Sequence, residues 1–354
     1  MINGKPLIAG IQQIGLGNAC VHTTWRWYRE FLGFDIPVFN EAAEAALMLP
    51  YTGGLPRKRH AILALNLHGG GGLEIWQYTE RTPQAPGFAP AMGDLGIFVS
   101  KIKSPNVPAA FQHLREKGAH LLSEVSANPA GQQHFYLSDP FGNIVEVVEG
   151  NSWFSKGKKN LGGVYGCVIG VSNIERSLPF YQNILDCDTV VFDEKKTFDD
   201  LCGLPGSEHS FRRVLLRHSQ PRRGPFARFL GDYEIELVEV QNRTPRKIFE
   251  DRYWGDLGYI HLCFDITGMD VMKRQCEQLG YPFTVDSANS FDMGEAAGHF
   301  SYIEDPDGTL IEFVETHKLP LLKKLGWYLD LRKRQPGKEL PDWMLKTLRF
   351  NRVK

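Results

Sequence analysis

The chain has 354 residues, of which 42% are hydrophobic and 23% are charged, and its formal net charge at pH 7 is −1. This balance is that of an ordinary globular protein, and it excludes the strongly basic class that binds nucleic acid through charge. The length is sufficient for two or more compact domains with their own cores.

The cysteines and the N-terminus bear on location. The six cysteines form no C-x-x-C pair and no spaced zinc motif, which is typical of free thiols in a reducing cytoplasm. The first residues, MINGKPLIAGIQQ, lack a basic segment followed by an apolar core, so we expect no signal peptide. No stretch approaches the roughly 18 unbroken apolar residues of a membrane span. We therefore predict a cytoplasmic protein.

A strand followed by a helix opens each half of the chain. The strand-like stretch GIQQIGLGN precedes WRWYREFLGFD (25–35), and the similar stretch GVYGCVIGV precedes LPFYQNILDCD (178–188). Within these segments an aromatic pair that ends in Tyr28 matches the pair that ends in Tyr181. The match indicates an internal repeat, which must be identified before single motifs are interpreted.

Two further pairs of segments extend the repeat. HFYLSDPFGNIVEVVE (134–149) and HFSYIEDPDGTLIEFVE (299–315) both read as strand, D-P-x-G turn and strand. In such a turn Asp-Pro starts the reversal and the glycine takes a positive φ. GGLEIWQY (71–78) and YEIELVEV (233–240) form the other pair, and both are typical of strands.

The order of these segments predicts an α+β fold built from four βαβββ modules. Amphipathic helices are predicted at 107–120 and 269–281, each closed by a glycine. Because one module alone leaves open sheet edges, the modules should pair into two curved, barrel-like mixed sheets. Modules one to four span residues 8–80, 92–150, 162–242 and 256–316. The expected domains are a first pair of modules at 1–150, a linker at 151–163, a second pair at 164–316, and a basic tail of amphipathic helices at 317–354.

This arrangement resembles the vicinal oxygen chelate superfamily, which includes glyoxalase I, extradiol ring-cleaving dioxygenases, methylmalonyl-CoA epimerase and the fosfomycin and bleomycin resistance proteins. The resemblance covers about residues 8–316 and rests on NIERSLPFYQNIL after a strand and on DPDGTLIEFVE. It implies one divalent metal ion inside a cup formed by two paired modules, with ligands from the first and last strands of each module.

Carried over position by position, the resemblance implies candidate ligands in all four modules. They are Gln13 and Glu74 in module one, Asp94 and Glu146 in module two, Gly166 (which has no side chain to offer) and Glu236 in module three, and His261 and Glu312 in module four. Nitrogen and oxygen donors of these types suit Zn, Ni, Co, Mn or Fe(II), and the pattern does not choose among them.

Two groupings of these candidates are open. In the first, modules pair within each half of the chain, so that modules one and two share a site. In the second, the outer modules one and four pair, and one site contains Gln13, Glu74, His261 and Glu312. The order Gln-Glu-His-Glu resembles the metal set of the glutathione-dependent glyoxalase I. The candidates of modules two and three would then form a degenerate site.

Local chemistry supports a metal at the second set. Glu74 shares a strand face with Trp76, and a carboxylate on an apolar inward face costs several kcal/mol unless a metal or a partner charge compensates it. Gly15 leaves open volume beside Gln13. Each of these side chains also fits a purely structural role in place of metal binding. A strand can carry a hydrogen-bonded histidine, as at His261, or a glutamate that faces solvent.

The resemblance implies a metal-dependent lyase or isomerase that acts on a small α-oxygenated molecule. In this interpretation Gln13 and His261 anchor the metal, and Glu312 moves the proton on the carbon next to the carbonyl while Glu74 assists from the opposite side. One alternative is an Fe(II) extradiol-type dioxygenase, although Gly166 occupies the place of that family's first histidine. The other is a non-catalytic protein that sequesters a drug or metabolite.

The expected partners follow from the same interpretation. A small-molecule substrate and a second copy of the chain are expected, because sites in the family can form between halves of a dimer. No nucleic acid and no membrane span are expected. The basic loops at 55–61 and 217–228 are either solvated faces or surfaces that bind a substrate carboxylate or phosphate at the cup mouth.

Overall fold

The computed structural model describes residues 4–155, 157, 159–288, 291–292, 297–322 and 327–353. All four predicted modules are present as strands and helices. Module one contains β1 (Leu7–Gly17), α1 (Val21–Trp27), a π-helical turn (Tyr28–Leu32), β2 (Ile36–Glu44), a 3-10 turn (Leu49–Tyr51), β3 (Lys58–Leu65) and β4 (Gly72–Tyr78). Module two contains β5 (Gly96–Ser104), α2 (Val107–Glu116), β6 (His120–Leu121), β7 (Ser126–Ala127), β8 (Gln133–Ser138) and β9 (Ile144–Glu149).

The second half of the chain repeats this order. Module three contains β10 (Val164–Gly170), α3 (Ile174–Ile184), β11 (Thr189–Lys196), a 3-10 turn (Asp199–Leu201), β12 (Phe211–Arg217), α4 (Ala227–Leu230) and β13 (Glu234–Val240). Module four contains β14 (Gly258–Thr267), α5 (Met269–Gln278), β15 (Val285–Asp286), β16 (Phe291–Asp292), β17 (Ala297–Glu304) and β18 (Leu310–Thr316).

Two nine-stranded mixed sheets form the body of the protein, as the sequence predicts. The outer sheet, made by modules one and four, has the order β15-β17-β18-β14-β1-β4-β3-β2, with β16 beside β17. The inner sheet, made by modules two and three, has the order β11-β12-β13-β10-β5-β9-β8-β6, with β7 beside β8. The fold therefore has the second of the two groupings. Each half of the chain, 1–150 and 164–316, contributes one module to each sheet.

The pairing at the centre of each sheet crosses from one half of the chain to the other. In the outer sheet β1 runs antiparallel to β14, and Gly15 lies opposite His261. In the inner sheet β10 pairs antiparallel with β5, where Val164 lies opposite Ile102. One apolar cluster continues through both sheets and the helices α1, α2, α3 and α5 that cover them.

A repeated contact links the two modules within each half. In both D-P-x-G turns the aspartate accepts backbone hydrogen bonds across the turn, and the glycine has the expected positive φ, 89° at Gly142 and 91° at Gly308. The second carboxylate oxygen accepts a hydrogen bond from a buried tyrosine of the preceding module. The pairs are Tyr28 with Asp139, at 2.9 Å, and Tyr181 with Asp305, at 2.8 Å.

The tail differs in part from the prediction. The stretch predicted as a first amphipathic helix contains two paired antiparallel strands, β19 (Lys318–Leu322) and β20 (Trp327–Asp330). A physical reason is Pro320, which has no backbone N–H to donate and clashes with the preceding turn of a helix. The end of the tail is helical, as predicted. It comprises 3-10 turns (Leu331–Lys333 and Thr347–Asn351) and α6 (Asp342–Lys346).

The tail packs against the body through apolar side chains. Leu331, Leu340 and Leu345 are buried in one cluster with Phe154 and Phe229. Among the described residues, no helix combines the length and apolar character needed to cross a bilayer.

The tyrosine–aspartate contacts yield a stability prediction. Tyr28→Phe and Tyr181→Phe should each lower the free energy of unfolding by about 1–3 kcal/mol, because each removes a buried hydrogen bond to a carboxyl group. Urea denaturation measures this change. Tyr281→Phe is the matched control, since its hydroxyl makes no hydrogen bond within the described structure. Equal effects of all three substitutions would show that these contacts do not stabilise the halves.

Candidate functional site

Four adjacent strands of the outer sheet each present one polar side chain to the same point. In the order β4, β1, β14 and β18, these are Glu74, Gln13, His261 and Glu312. The strands of the two glutamates, β4 and β18, run parallel to β1 and β14, respectively. In the register of β1 with β4, Glu74 lies opposite Gly15. All four are buried, and His261 is fully so. The structure therefore brings together all four residues of the second predicted set, which we call the outer set.

The polar atoms of the outer set lie within coordination range of one another. Gln13 Nε2 donates to Glu74 Oε2 at 3.0 Å and to Glu312 Oε2 at 3.5 Å. His261 Nε2 lies 3.0 Å from Glu312 Oε2 and 3.5 Å from Glu74 Oε2. One ligand atom from each of Glu74, His261 and Glu312 can be chosen so that all three lie within 4.8 Å of each other.

The contacts of the outer set leave polar atoms unsatisfied. Gln13 Oε1 and both ring nitrogens of His261 are buried without a hydrogen bond of acceptable geometry. Within the described chain, neither Glu74 nor Glu312 forms an ion pair with a lysine or arginine. Buried carboxylates without a lysine or arginine partner, and buried polar atoms without a hydrogen bond, are costly, and a cation held by these atoms would remove that cost. The residues present therefore fit a divalent metal ion.

Burial and mutual repulsion shape the charge state of the outer set. Burial raises the pKa of the Glu74 carboxyl to about 7; the charge of His261 opposes this shift, and that of Glu312 adds to it. Burial alone would lower the pKa of His261, but the Glu312 and Glu74 carboxylates outweigh it and raise that pKa. The set thus retains a proton near neutral pH, and a bound cation would take the proton's place.

Aromatic rings and a glycine fix the orientation of His261. The Trp254 ring stacks parallel to the imidazole with centroids 6.1 Å apart, and the Tyr302 ring meets it edge-on at 5.5 Å. On the facing strand, a Cβ atom at Gly15 would lie 2.3 Å from Cε1 of His261. Only glycine fits there without moving the ring.

A cavity of about 370 Å³ opens onto the outer set. Gln13, Glu74 and Glu312 line it, while His261 does not reach it. Most of the remaining lining is apolar or aromatic. It includes Phe39, Leu63, Trp76, Trp254, Phe300 and Tyr302. Arg59 is the one cation among the described lining residues, and its Nη2 pairs with Glu41 at 3.1 Å. It lies on β3, so the prediction of a loop over 55–61 is wrong from Lys58 onward, where the chain already pairs with β2 and β4.

The candidates of modules two and three do not form an equivalent set. Glu146 and Glu236 face the interior of the inner sheet, but a Cβ atom at Gly166 would lie 1.9 Å from the carbonyl oxygen of Glu234. Asp94 precedes β5 and lies outside the cup, where Oδ1 accepts from Arg243 at 2.6 Å. The choice of Asp94 as a ligand is therefore wrong, because the first strand of module two begins after it.

Lys101, which lies inside the inner sheet among the candidates of modules two and three, was not predicted from the sequence. Lys101 on β5 is fully buried, and its Nζ lies 2.8 Å from Glu236, 3.0 Å from Glu234 and 3.2 Å from Glu146. The strand reads GIFVSKIKS, and a lysine inside so apolar a strand was the available signal. A buried ammonium requires carboxylate partners, and the glutamates on β9 and β13 are those partners.

Comparison with known proteins agrees with this architecture. Residues 10–147 match the model of the Glyoxalase/Bleomycin resistance protein/Dioxygenase superfamily. The fold is similar to glyoxalase I from Zea mays (TM-score 0.52, 13% identity, covering 86% of this chain and 92% of that one). It is also similar to a putative dioxygenase from Bacillus subtilis (TM-score 0.55, 14% identity, covering 87% and 86%). No curated protein matches the sequence. The matches confirm the predicted fold, and over residues 10–147 they agree with the predicted superfamily.

The fit of His261 against its facing strand is testable. Gly15→Ala should weaken binding of a divalent ion by about 10–100-fold, the effect typical of disturbing a ligand's orientation, because the new methyl group displaces the imidazole. Isothermal titration with Mn²⁺ or Zn²⁺ measures the affinity. Gly87→Ala is the matched control, since Gly87 is exposed and has open space around its Cβ position. Unchanged affinity in Gly15→Ala would contradict a ligand role for His261.

Proposed function

We propose that this chain, whose residues 10–147 match the glyoxalase, bleomycin resistance protein and dioxygenase superfamily, is an enzyme that uses one divalent metal ion to catalyse proton transfer on a small molecule with two neighbouring oxygen atoms. The supporting observation is the outer set, in which Gln13, Glu74, His261 and Glu312 converge from four adjacent strands beside a cavity. Their nitrogen and oxygen donors suit Zn, Ni, Co, Mn or Fe(II).

The two glutamates have the position and chemistry of an acid and a base. Both line the cavity, whereas His261 is enclosed and serves only to anchor the ion. A divalent ion at this point would polarise the substrate oxygens and stabilise the negative charge that develops on them. Glu312 takes the proton from the carbon next to the carbonyl, and Glu74 assists from the other side. Carboxyl groups beside the cavity are groups of the kind that exchange protons in general acid–base catalysis.

The walls of the cavity fit a small substrate with an apolar part. Trp76 and Trp254 pack edge to face beside the outer set and form an apolar wall of the cavity. Arg59 would orient an anionic group of the substrate by exchanging its ion pair with Glu41 for one with the ligand, because guanidinium groups bind carboxylates and phosphates in a fixed geometry.

The two alternative functions make different demands on the site. An extradiol-type dioxygenase needs two histidines and a carboxylate from modules three and four, but these modules lie in different sheets and the outer set has one imidazole. This arrangement argues against that alternative. A sequestering protein needs only the cavity and a tight ligand, so turnover distinguishes it. The cytoplasmic location and the homodimer stay predictions.

Proton exchange tests the function before the natural substrate is known. Incubated in D₂O with small α-hydroxyketones and α-hydroxyaldehydes, the metal-loaded protein should catalyse exchange of the hydrogen next to the carbonyl, as measured by NMR. Chelation should abolish this exchange, and restoring the ion should recover it. Glu312→Gln should lower kcat by about 10²–10⁴-fold, because it removes the base.

The control is Glu44→Gln, which removes a carboxylate from the exposed rim of the same cavity and should leave exchange nearly unchanged. Full exchange after chelation would refute the proposed mechanism. Stoichiometric ligand binding without any exchange would favour the sequestering protein.

A further inference from the structure

We propose that the ammonium of Lys101 is a built-in replacement for a metal ion, and that the inner cup becomes a divalent-metal site when this lysine is removed. The inner cup is the interior of the inner sheet around Lys101, bounded by Glu146, Glu234 and Glu236. The inference concerns this second cup and does not require that the outer set be catalytic.

The carboxylate of module three has the same place in its sheet as the carboxylate of module one. Glu236 on β13 lies opposite Val168 on the parallel strand β10. Glu74 on β4 lies opposite Gly15 on the parallel strand β1. Both are the third residue of their strand.

The carboxylates of modules two and four correspond in the same way. Glu146 on β9 lies opposite Lys101 on β5, and Glu312 on β18 lies opposite Cys263 on β14. Both are again the third residue of their strand. The inner cup thus keeps the two glutamates that the outer set uses.

The remaining positions of the inner cup have changed together. The place of Gln13 is taken by Gly166, and the place of His261 is taken by Val99, so both neutral ligands are lost. In their stead β13 carries an additional carboxylate, Glu234. Compared with the outer set, the inner cup therefore lacks two neutral ligands and contains one additional carboxylate and one ammonium.

The ammonium of Lys101 satisfies the charge that a metal ion would otherwise neutralise. It lies between 2.8 and 3.2 Å from oxygens of three glutamates, all of them buried. The same glutamates are held from their other sides: Arg213 pairs with Glu236 at 2.6 Å, and Arg217 pairs with Glu234 at 2.8 Å. His134 Nδ1 lies 2.8 Å from Glu146 and provides a nitrogen donor at the rim of the cluster.

Apolar side chains fill much of the inner cup. The segment between β11 and β12 folds into it, and Phe198, Leu201 and Leu204 are buried there against Val99 and Val168. The corresponding segment of module one, between β2 and β3, instead borders the open cavity of the outer set. Lys101 on β5 therefore links β9 and β13 through its ion pairs with their glutamates, and it does not act on a ligand.

Removal of the ammonium would leave three buried carboxylates beside an imidazole, with the guanidinium groups of Arg213 and Arg217 still pairing from outside. Carboxylates and an imidazole are a donor set that divalent ions bind. Two variants separate the loss of charge from the loss of volume. Lys101→Ala removes both and opens space for an ion, whereas Lys101→Met keeps most of the side-chain volume. Both are made in a His261→Ala background, so that the outer set contributes no ion.

The measurement is bound metal per chain after equilibrium dialysis against Mn²⁺, together with Tm in Mn²⁺ and in a chelator. Lys101→Ala should bind one ion per chain and gain Tm with Mn²⁺, while Lys101→Met and the His261→Ala parent should do neither. If Lys101→Ala folds only when Mn²⁺ is present, the proposal is equally supported. Lys101→Ala that binds no ion, or that stays unfolded at every Mn²⁺ concentration, overturns it.

Metal binding by the wild-type chain distinguishes a failure of this proposal from a failure of the proposed function. It should bind one ion per chain under the same conditions, through the outer set. A wild type without metal would refute the outer site and leave the prediction for Lys101→Ala intact.

Discussion

The pairing of β1 with β14 is the constraint on which the rest of the molecule depends. It joins the first and the last module across nearly the whole chain and places Gly15 directly against His261. Without it, Gln13 and Glu74 would lie in one half-sheet and His261 with Glu312 in another, so no set of four could form. Closing so long a loop costs chain entropy, and the continuous apolar cluster through both sheets offsets that cost.

The contacts within each half of the chain connect the pairing of modules in the outer sheet to the pairing of modules in the inner sheet. Tyr28 binds the turn of module two, and Tyr181 binds the turn of module four. Each half is thereby fixed as a pair of modules that belong to different sheets. When the outer modules meet, the inner modules meet as well, and two cups result from one arrangement.

The two cups meet the same electrostatic requirement in different ways. Each holds buried glutamates that need a positive charge, because an uncompensated carboxylate in the interior is strongly destabilising. The inner cup satisfies its acids with Lys101 from its own chain and fills its remaining space with apolar side chains. Among the described residues, no lysine or arginine pairs with the glutamates of the outer cup, and this cup keeps an open cavity, which is the combination expected of a site that takes an ion and a small molecule.

The sequence allowed the modules and the outer candidates to be predicted because they lie in repeated local patterns. The D-P-x-G turns place Glu312, and the strand alternation of GYIHLCFDI places His261. The grouping of the modules could not be predicted, since β1 would present the same face to either partner. Lys101 could not be predicted because lysine is not a metal ligand and only the folded sheet brings Glu146, Glu234 and Glu236 around it. Asp94 was a wrong candidate because it precedes β5 and pairs with Arg243 outside the cup.

In the wild-type protein the outer set alone should hold a metal ion. Anomalous diffraction from crystals of the wild-type protein grown with Mn²⁺ tests it most directly. We predict one anomalous peak per chain, within coordination distance of Gln13, Glu74, His261 and Glu312, and none beside Lys101. No peak at the outer set, or a peak in the inner cup of the wild-type protein, would contradict the account.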